Sequence, residues 1–343
     1  MAYTTIDKST DYFINKLWTG NDTAQTITGI PFAPDFVWIK NRSAAESHTL
    51  VNTSVGANNF LKSNATSANN TNTEFVKSFT SDGYTLGSAD EVNNGSNNIV
   101  GWNWKAGTTS GIATNGATVT TPSSYSFNQT SRFSILQYTG TGNTNNKLAH
   151  GLGVKPDFII FKKTSGDINW GIYHQSLTAD YRLLFTTGAK SDDDSFMQDV
   201  EPDSVNINLG YGGLNNTSGA TYIAYCFADV QGYSKFGSYT GNGNADGAFV
   251  YTGFKPAWLM LKKTNGTESW IMVDTTRGLY NSAYKYLLAD TNGAEAGDLA
   301  YDILSNGFKF RGTSQNGSGD TFIYMAFAEA PLVGSNNVPA TAR

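Results

Sequence analysis

The sequence predicts an all-β protein built from three tandem β-sandwich domains. The 343 residues contain the same series of short segments three times, and domains of about 90 residues fit that length. The chain has 36 glycines, 13% aromatic residues and only 15% charged residues, a composition typical of short strands joined by tight turns. Helical periodicity occurs only in residues 282–289, where one short helix is expected.

Each copy opens with an aromatic residue followed by Thr-Gly, which predicts a strand that runs into a tight turn. The openings are Trp18-Thr19-Gly20, Tyr138-Thr139-Gly140 and Tyr239-Thr240-Gly241. Further along, a proline precedes an apolar run that ends in lysine. These segments are Pro34 to Lys40, Pro156 to Lys162 and Pro256 to Lys262. Because proline has no backbone N–H donor, we expect it at the first residue of each strand.

The register between the copies continues beyond the lysine. Matching positions carry His48, Trp170 and Trp270, and then Leu61, Leu184 and Leu288. In the second half, Asp82-Gly83 and Asn306-Gly307 supply the positive φ of hairpin turns, whereas the middle copy alternates apolar and polar residues over 205–209. That alternation predicts one buried and one wet face. An apolar-aromatic strand closes the copies at Ile99 to Trp104, Tyr222 to Phe227 and Phe322 to Phe327.

These repeats predict the domain boundaries. The three sandwich domains are expected at residues 1–106, 132–230 and 231–330. Residues 107–131 are rich in Thr, Ser and Gly and form either a linker or an extra hairpin. Residues 331–343 are expected to form an extended C-terminal arm. The short join between the second and third domains predicts that they pack closely.

The charge distribution excludes several partners. A net charge of −5 with a sequence pI of 5.2 offers no basic stripe for a phosphate backbone, so nucleic acid is not expected as a partner. No apolar stretch reaches membrane-spanning length, and the first 16 residues lack a signal pattern. The sequence therefore predicts synthesis in the cytoplasm without membrane insertion.

An enzyme built on the repeat would need catalytic side chains at matching positions of the copies. No such side chains recur among the three copies. The residue after the proline is Asp35, Asp157 and then Ala257. Histidines and acidic runs show no metal-type spacing, and Cys226 lies in a predicted core strand, where it should be buried and inert. We therefore expect no enzymatic activity, no cofactor and no metal site.

Aromatic side chains are the better functional candidates, because sugar rings stack on their faces. The candidate ligand-binding residues are Trp18, Tyr84, Trp170, Tyr211 and Trp270. The alternative for each of them is a place in the core of a sandwich.

Taken together, these motifs resemble a known group of proteins. The quoted openings and strands, with Ser81 to Gly87, Tyr233 to Tyr239 and Val338 to Arg343, resemble repeat-built virion structural proteins of tailed bacteriophages, especially marine ones. The resemblance covers nearly the whole chain. It implies a tail-fibre-like or uncharacterised lectin-like sandwich, of jelly-roll or concanavalin-like type, on the virion surface. It implies no functional residues.

Three functions follow as hypotheses. The first is a tail fibre or spike component that contributes to host-surface glycan adhesion, binding other virion proteins and copies of itself, as a trimer if it is a fibre. The second is a capsid decoration or head-fibre protein with only protein contacts. The third is a glycan-cleaving enzyme, which needs two carboxylates about 5 to 10 Å apart, and the sequence shows no such pair.

Overall fold

The computed structural model describes residues 4–116, 119–278, 280–333 and 339. The chain is all-β, as predicted, with 42% strand and 4% helix. Helix is limited in these residues to single turns at α1 (Asp90–Asn93), α2 (Asp194–Met197) and the 3-10 turns Ser9–Asp11 and Gln175–Leu177. Residues 334–338 and 340–343 of the predicted C-terminal arm lie outside the described residues, and so do residues 117–118.

The first repeat, residues 4–106, contains two antiparallel sheets packed face to face. Its strands are β1 (Phe13–Thr19), β2 (Gln25–Ile27), β3 (Phe36–Asn41), β4 (Thr49–Asn52), β5 (Asn59–Phe60), β6 (Asn70–Thr71), β7 (Val76–Thr80), β8 (Gly83–Leu86) and β9 (Asn98–Trp104). The larger sheet has the order β1-β9-β3-β4 and the smaller β2-β8-β7, while β5 pairs with β6. Val37 and Ile39 of the larger sheet share a core with Tyr84 and Leu86 of the smaller.

The second repeat, residues 107–230, also has two sheets, which are antiparallel except for the parallel pair of its strands at Val119–Thr120 and Asn146–Ala149. Its strands are β10 (Val119–Thr120), β11 (Ser124–Asn128), β12 (Phe133–Thr139), β13 (Asn146–Ala149), β14 (Phe158–Lys163), β15 (Gly171–His174), β16 (Tyr181–Arg182), β17 (Ser191–Asp192), β18 (Asn206–Leu209) and β19 (Thr221–Phe227). The larger sheet has the order β11-β12-β19-β14-β15, and the smaller has β10-β13-β18. Because β11 pairs with β12, residues 124–128 form the extra hairpin strand that was one of the two expectations for this segment.

The third repeat, residues 231–333, has two sheets as well. Its strands are β20 (Ser234–Thr240), β21 (Phe249–Tyr251), β22 (Phe254–Lys263), β23 (Ile271–Asp274), β24 (Leu287–Leu288), β25 (Tyr301–Leu304), β26 (Gly307–Phe310) and β27 (Thr321–Pro331). The sheet orders are β20-β27-β22-β23-β24 and β21-β26-β25.

Three local expectations need correction. Pro34 and Pro156 precede their strands, but Pro256 lies inside β22 at a register shift, where a missing N–H donor is tolerated. The alternating strand β18 is buried on both faces, because the amides of Asn206 and Asn208 donate to backbone carbonyls instead of water. Residues 282–289 are extended and contain β24 rather than a helix.

A fourth, central core joins the three repeats. Besides the core between its own two sheets, each repeat turns the other face of its larger sheet toward this shared core. Trp104, Phe227 and Phe327, the last aromatic residues of the three closing strands, meet there with ring centroids 5.7 to 6.4 Å apart. The three larger sheets therefore surround one pseudo-threefold axis.

Equivalent hydrogen bonds connect the repeats in a cycle. Each uses a ring nitrogen of the matching aromatic position and a carbonyl of the preceding repeat. The pairs are Trp170 Nε1 to Lys62 O (3.0 Å), Trp270 Nε1 to Leu184 O (2.7 Å) and His48 Nε2 to Leu288 O (2.9 Å). Because the third bond links the last repeat to the first, the cycle closes without a covalent connection.

Two of the three lysines that end the apolar runs, Lys162 and Lys262, strengthen the same junctions. Lys40, Lys162 and Lys262 are buried, and burial lowers the pKa of each to about 8. The ammonium of Lys162 donates to the carbonyl of Thr66 (3.1 Å), and that of Lys262 donates to the carbonyl of Thr187 (2.9 Å). Each bond reaches into the preceding repeat and satisfies a buried charge with carbonyl oxygens.

A buried ionic network lies where the third repeat meets the first. Glu295 accepts hydrogen bonds from Arg42, Arg277 and Lys285 at 2.8 to 3.1 Å, and Arg277 also pairs with Asp274. Burial alone would raise the pKa of Glu295, but the hydrogen bond from Arg42 and the charge of Arg277 lower it to about 2. The junction without a covalent link thus carries these charge-assisted contacts.

The aromatic-Thr-Gly segment that opens each repeat holds a later loop of the same repeat in place. The aromatic residue donates to a backbone carbonyl of a later loop. These bonds are Trp18 Nε1 to Val92 O (3.0 Å), Tyr138 Oη to Asn215 O (2.7 Å) and Tyr239 Oη to Gln315 O (2.8 Å). A Cβ on Gly20, Gly140 or Gly241 would lie 1.9 to 2.4 Å from a carbonyl oxygen of that loop, so the loop packs only against glycine.

Candidate functional site

The structure places the five predicted aromatic candidates in different environments. Trp170 and Trp270 belong to the central core, and Tyr84 belongs to the core of the first repeat. Trp18 is half-buried and packs edge-on against Tyr84. Tyr211 alone among the five is exposed, at 51%. The structure therefore brings Trp18 to Tyr84 and buries Trp170 and Trp270 in one core, but it does not gather the five residues in one site.

The exposed aromatic residues lie mainly on the third repeat. Seven large hydrophobic side chains are exposed in the described residues, and four of them, all aromatic, belong to this repeat. They are Phe249, Tyr251, Tyr280 and Tyr284. The alternation of Phe249, Val250 and Tyr251 was visible in the sequence, but only strand pairing decides which of its two faces is covered.

The outer face of the smaller third-repeat sheet presents two of these rings. Phe249 and Tyr251 lie on the edge strand β21, while Val250 between them points into the core. A Cβ on Gly307 of the paired strand would lie 3.0 Å from Cε2 of Phe249, so the ring rests over a bare backbone. Lys309, opposite Phe249, forms an ion pair with Asp246 (2.7 Å). We call Phe249, Tyr251 and Lys309 the aromatic face.

A groove of about 480 Å³ adjoins the aromatic face at the junction of the second and third repeats. Tyr251 lines it together with Arg132, Asp229 and Lys235. Asp229 accepts the backbone N–H of Phe236 (2.7 Å) and pairs with Lys235. Burial raises the pKa of Asp229 above its ordinary value, although Lys235 opposes that shift. The groove therefore offers charged and polar groups beside an aromatic ring.

A second concavity of about 320 Å³ lies within the third repeat, and we call it the third-repeat cleft. Its walls combine apolar and polar side chains. They are Glu268, Ser269, Ile271, Tyr286, Leu288, Asp298, Leu299, Ser314 and Gln315. Sequence reasoning named none of these residues as a functional candidate, because they come from four separated segments that only the fold brings together.

The buried histidine and cysteine side chains of the interior have strongly shifted pKa values. Burial lowers the pKa of His48 to about 3 and those of His150 and His174 to about 4, so all three imidazoles are neutral. The thiol of Cys226 is buried, as predicted, and burial raises its pKa to about 12. In the part of the chain that the structure describes, no group of His, Cys, Asp and Glu side chains could hold a metal ion.

Comparisons with known proteins identify one family. A family model described as a domain of unknown function, DUF7483, matches residues 8–331. No curated protein and no solved structure matches the chain. Within the described residues, no helix has the length and apolar character needed to cross a membrane.

Proposed function

The chain belongs to the family of the domain of unknown function DUF7483, and from the resemblance of its repeated motifs to virion proteins of tailed bacteriophages we propose that it is a non-enzymatic structural protein of a phage virion. In this proposal it is a component of a tail fibre or spike and contributes to adhesion. Its ligand is a glycan on the host surface, bound through the aromatic face of the third repeat.

The closed arrangement of the repeats supports a scaffold role. Several ring nitrogens and lysines of the interior are engaged in contacts between repeats, such as His48 with Leu288 and Lys162 with Thr66. A shared core and a closed cycle resist local opening, which suits a module that must display a surface without changing shape.

The exposure of Phe249 and Tyr251 carries the adhesion part of the proposal. Their side chains are 48% and 53% exposed on one edge strand. Contact between water and an apolar ring is unfavourable, so covering these rings with a ligand is favourable. Exposed aromatic clusters mark interaction sites, and the apolar face of a sugar ring stacks on them. The neighbouring groove supplies Arg132 and Asp229 for hydrogen bonds to hydroxyl groups.

A glycan array probed with the purified protein tests this role. The double variant Phe249→Ala, Tyr251→Ala should lose at least tenfold in affinity for any glycan that the parent binds, since each ring contributes stacking area. Tyr211→Ala is the matched control, because that tyrosine is equally exposed but lies on the second repeat. Equal binding by the double variant and the parent, or loss in the control alone, would contradict the proposal.

The position on the virion is a separate part of the proposal. Cryo-electron microscopy of the intact particle should find a few copies at the tail, associated with other virion proteins and arranged as trimers if they form a fibre. A regular coat of many copies over the capsid would instead support decoration.

A further inference from the structure

The third-repeat cleft contains a buried hydrogen-bond acceptor without a partner. Gln315 lines the cleft and is only 7% exposed. Its Nε2 donates to the carboxylate of Glu268, while its Oε1 has no hydrogen-bond partner. The carboxylate requires a donor, so the amide nitrogen must face it and the oxygen is the atom left over. A buried acceptor in this state has lost its hydrogen bonds to water and destabilises the fold unless something donates to it.

The corresponding space in the second repeat is filled. There the ring of Phe196, from the turn α2, packs so close to Gly171 that a Cβ at that glycine would lie 2.7 Å from it. Leu214 packs beside the same glycine. In the third repeat Ile271 begins the matching strand β23, and the space in front of it is the cleft. In the first repeat Val92 occupies the place of Gln315 and offers no amide.

The acidic groups of the cleft are already balanced. Glu268 is held by its backbone, whose N–H donates to Thr187 (2.8 Å) and whose carbonyl accepts from Lys262. Burial raises the pKa of the Glu268 carboxyl above its ordinary value, while the charges of Lys263 and Lys262 oppose that shift. Asp298 accepts a hydrogen bond from Tyr286. A cation is therefore not needed to neutralise the cleft, and the remaining requirement is for hydrogen-bond donors.

The walls of the cleft specify the rest of the ligand. Ile271, Leu288 and Leu299 form an apolar side, and Tyr286 adds an aromatic ring. Ser269 and Ser314 add hydroxyl groups that both donate and accept. A volume of about 320 Å³ lies at the small end of ligand sites. A neutral, compact molecule with several hydroxyl donors and one apolar face meets these conditions.

We propose that the third-repeat cleft binds a single neutral sugar residue, with Gln315 Oε1 and the Glu268 carboxylate accepting hydrogen bonds from its hydroxyl groups. Ile271, Leu288 and Tyr286 contact its apolar face. The site is separate from the aromatic face and does not depend on the adhesion role or on a place in a virion.

Saturation-transfer NMR and calorimetric titration with glucose, galactose, mannose and N-acetylglucosamine test the site. At least one of the four should bind the full chain, and Gln315→Met should weaken that binding at least tenfold. The variant keeps the backbone carbonyl that accepts from Tyr239, so the loop retains its anchor. Ser314→Trp gives a second test at the exposed rim of the cleft, where the added ring blocks entry without disturbing the core.

Thr313→Trp is the control, because Thr313 is exposed on the same loop but does not line the cleft. It should bind the sugar like the parent. Binding that persists in both cleft variants, binding of lysine or arginine amides in place of sugars, or no binding of any of the four sugars would overturn the proposal. The Phe249→Ala, Tyr251→Ala variant separates the two sites: it should keep the monosaccharide affinity while losing array binding.

Discussion

The imidazole Nε2 of His48 lies 2.9 Å from the carbonyl oxygen of Leu288, and this contact joins the first repeat to the third. The other ring nitrogen, Nδ1, accepts the indole N–H of Trp38 at 2.8 Å, so Nε2 carries the proton and donates. The histidine therefore donates a hydrogen bond to a neighbouring repeat, as Trp170 and Trp270 do at the other two junctions. Unlike the indole of tryptophan, its imidazole can titrate.

That substitution predicts a dependence of stability on pH. Burial lowers the pKa of His48 to about 3 in the folded protein, whereas the ordinary value is 6.5. Between these values the unfolded chain binds a proton that the folded chain does not, so stability falls as the pH decreases through this window. One histidine contributes up to about 1.4 kcal/mol per pH unit there.

His48→Gln should remove this contribution while keeping both contacts, because a glutamine amide can accept from Trp38 and donate to Leu288. Urea unfolding of both proteins at several values between pH 4 and pH 6 measures the difference. The free energy of unfolding of the variant should fall less steeply with decreasing pH. If the free energies of unfolding of the parent and the variant changed equally with pH, the protonation of His48 would not destabilise the folded protein. Asp157, whose pKa burial raises to about 6, acts in the opposite direction but equally in both proteins.

The ionic network at the closing junction predicts a large loss on truncation. Glu295→Ala would leave the buried Arg277 with Asp274 as its remaining carboxylate and would free Arg42 and Lys285. Removing one partner from a buried pair typically costs about 3–5 kcal/mol. Chemical denaturation measures the loss. Asp11→Ala is the control, since the Lys8–Asp11 pair is exposed and should leave stability unchanged within error. Equal effects of the two variants would contradict a structural role for the network.

The shared core predicts one cooperative unfolding transition. Three independent sandwiches would melt separately, but Trp104, Phe227 and Phe327 each contact rings from another repeat. Calorimetry should therefore show a single transition. Trp104→Ala should lower the midpoint temperature of that transition for the whole chain and reduce the free energy of unfolding by about 3–5 kcal/mol. If the variant lowers the stability of residues 4–106 alone, as read by hydrogen exchange, the repeats are independent.

Particular residues show which parts of the fold can be predicted from the sequence. The run Phe36-Val37-Trp38-Ile39 identifies a strand, and its continuous apolar character indicates burial on both faces. It does not say what covers the second face, because Phe36 and Trp38 enter a core to which all three repeats contribute. The expected helix at residues 282–289 failed for a related reason. Leu287 enters the central core and Tyr284 stays exposed, an arrangement that extended backbone provides as well as a helix does.

The candidate sites were less predictable than the strands. Aromatic residue type did not distinguish Trp170, which is buried at a repeat junction, from Tyr251, which is exposed. The cleft around Gln315 depends on the absence of a ring at the place where the second repeat has Phe196. An empty space of that kind has no signature in a single sequence.

The glycine of the aromatic-Thr-Gly opening gives the last prediction. A Cβ on Gly241 would lie 2.3 Å from the carbonyl oxygen of Gly317, and the neighbour is backbone that cannot rotate away. Gly241→Ala should therefore displace the loop and destabilise the protein by roughly 1–3 kcal/mol, as overpacking does. Gly312→Ala is the matched control, because nothing lies within 4 Å of its Cβ. That variant should be neutral or slightly stabilising, since alanine restricts the unfolded chain. Thermal denaturation of the two variants decides the matter: if Gly241→Ala melts with the parent, the repeated glycine reflects turn formation alone and not the close approach of the two loops.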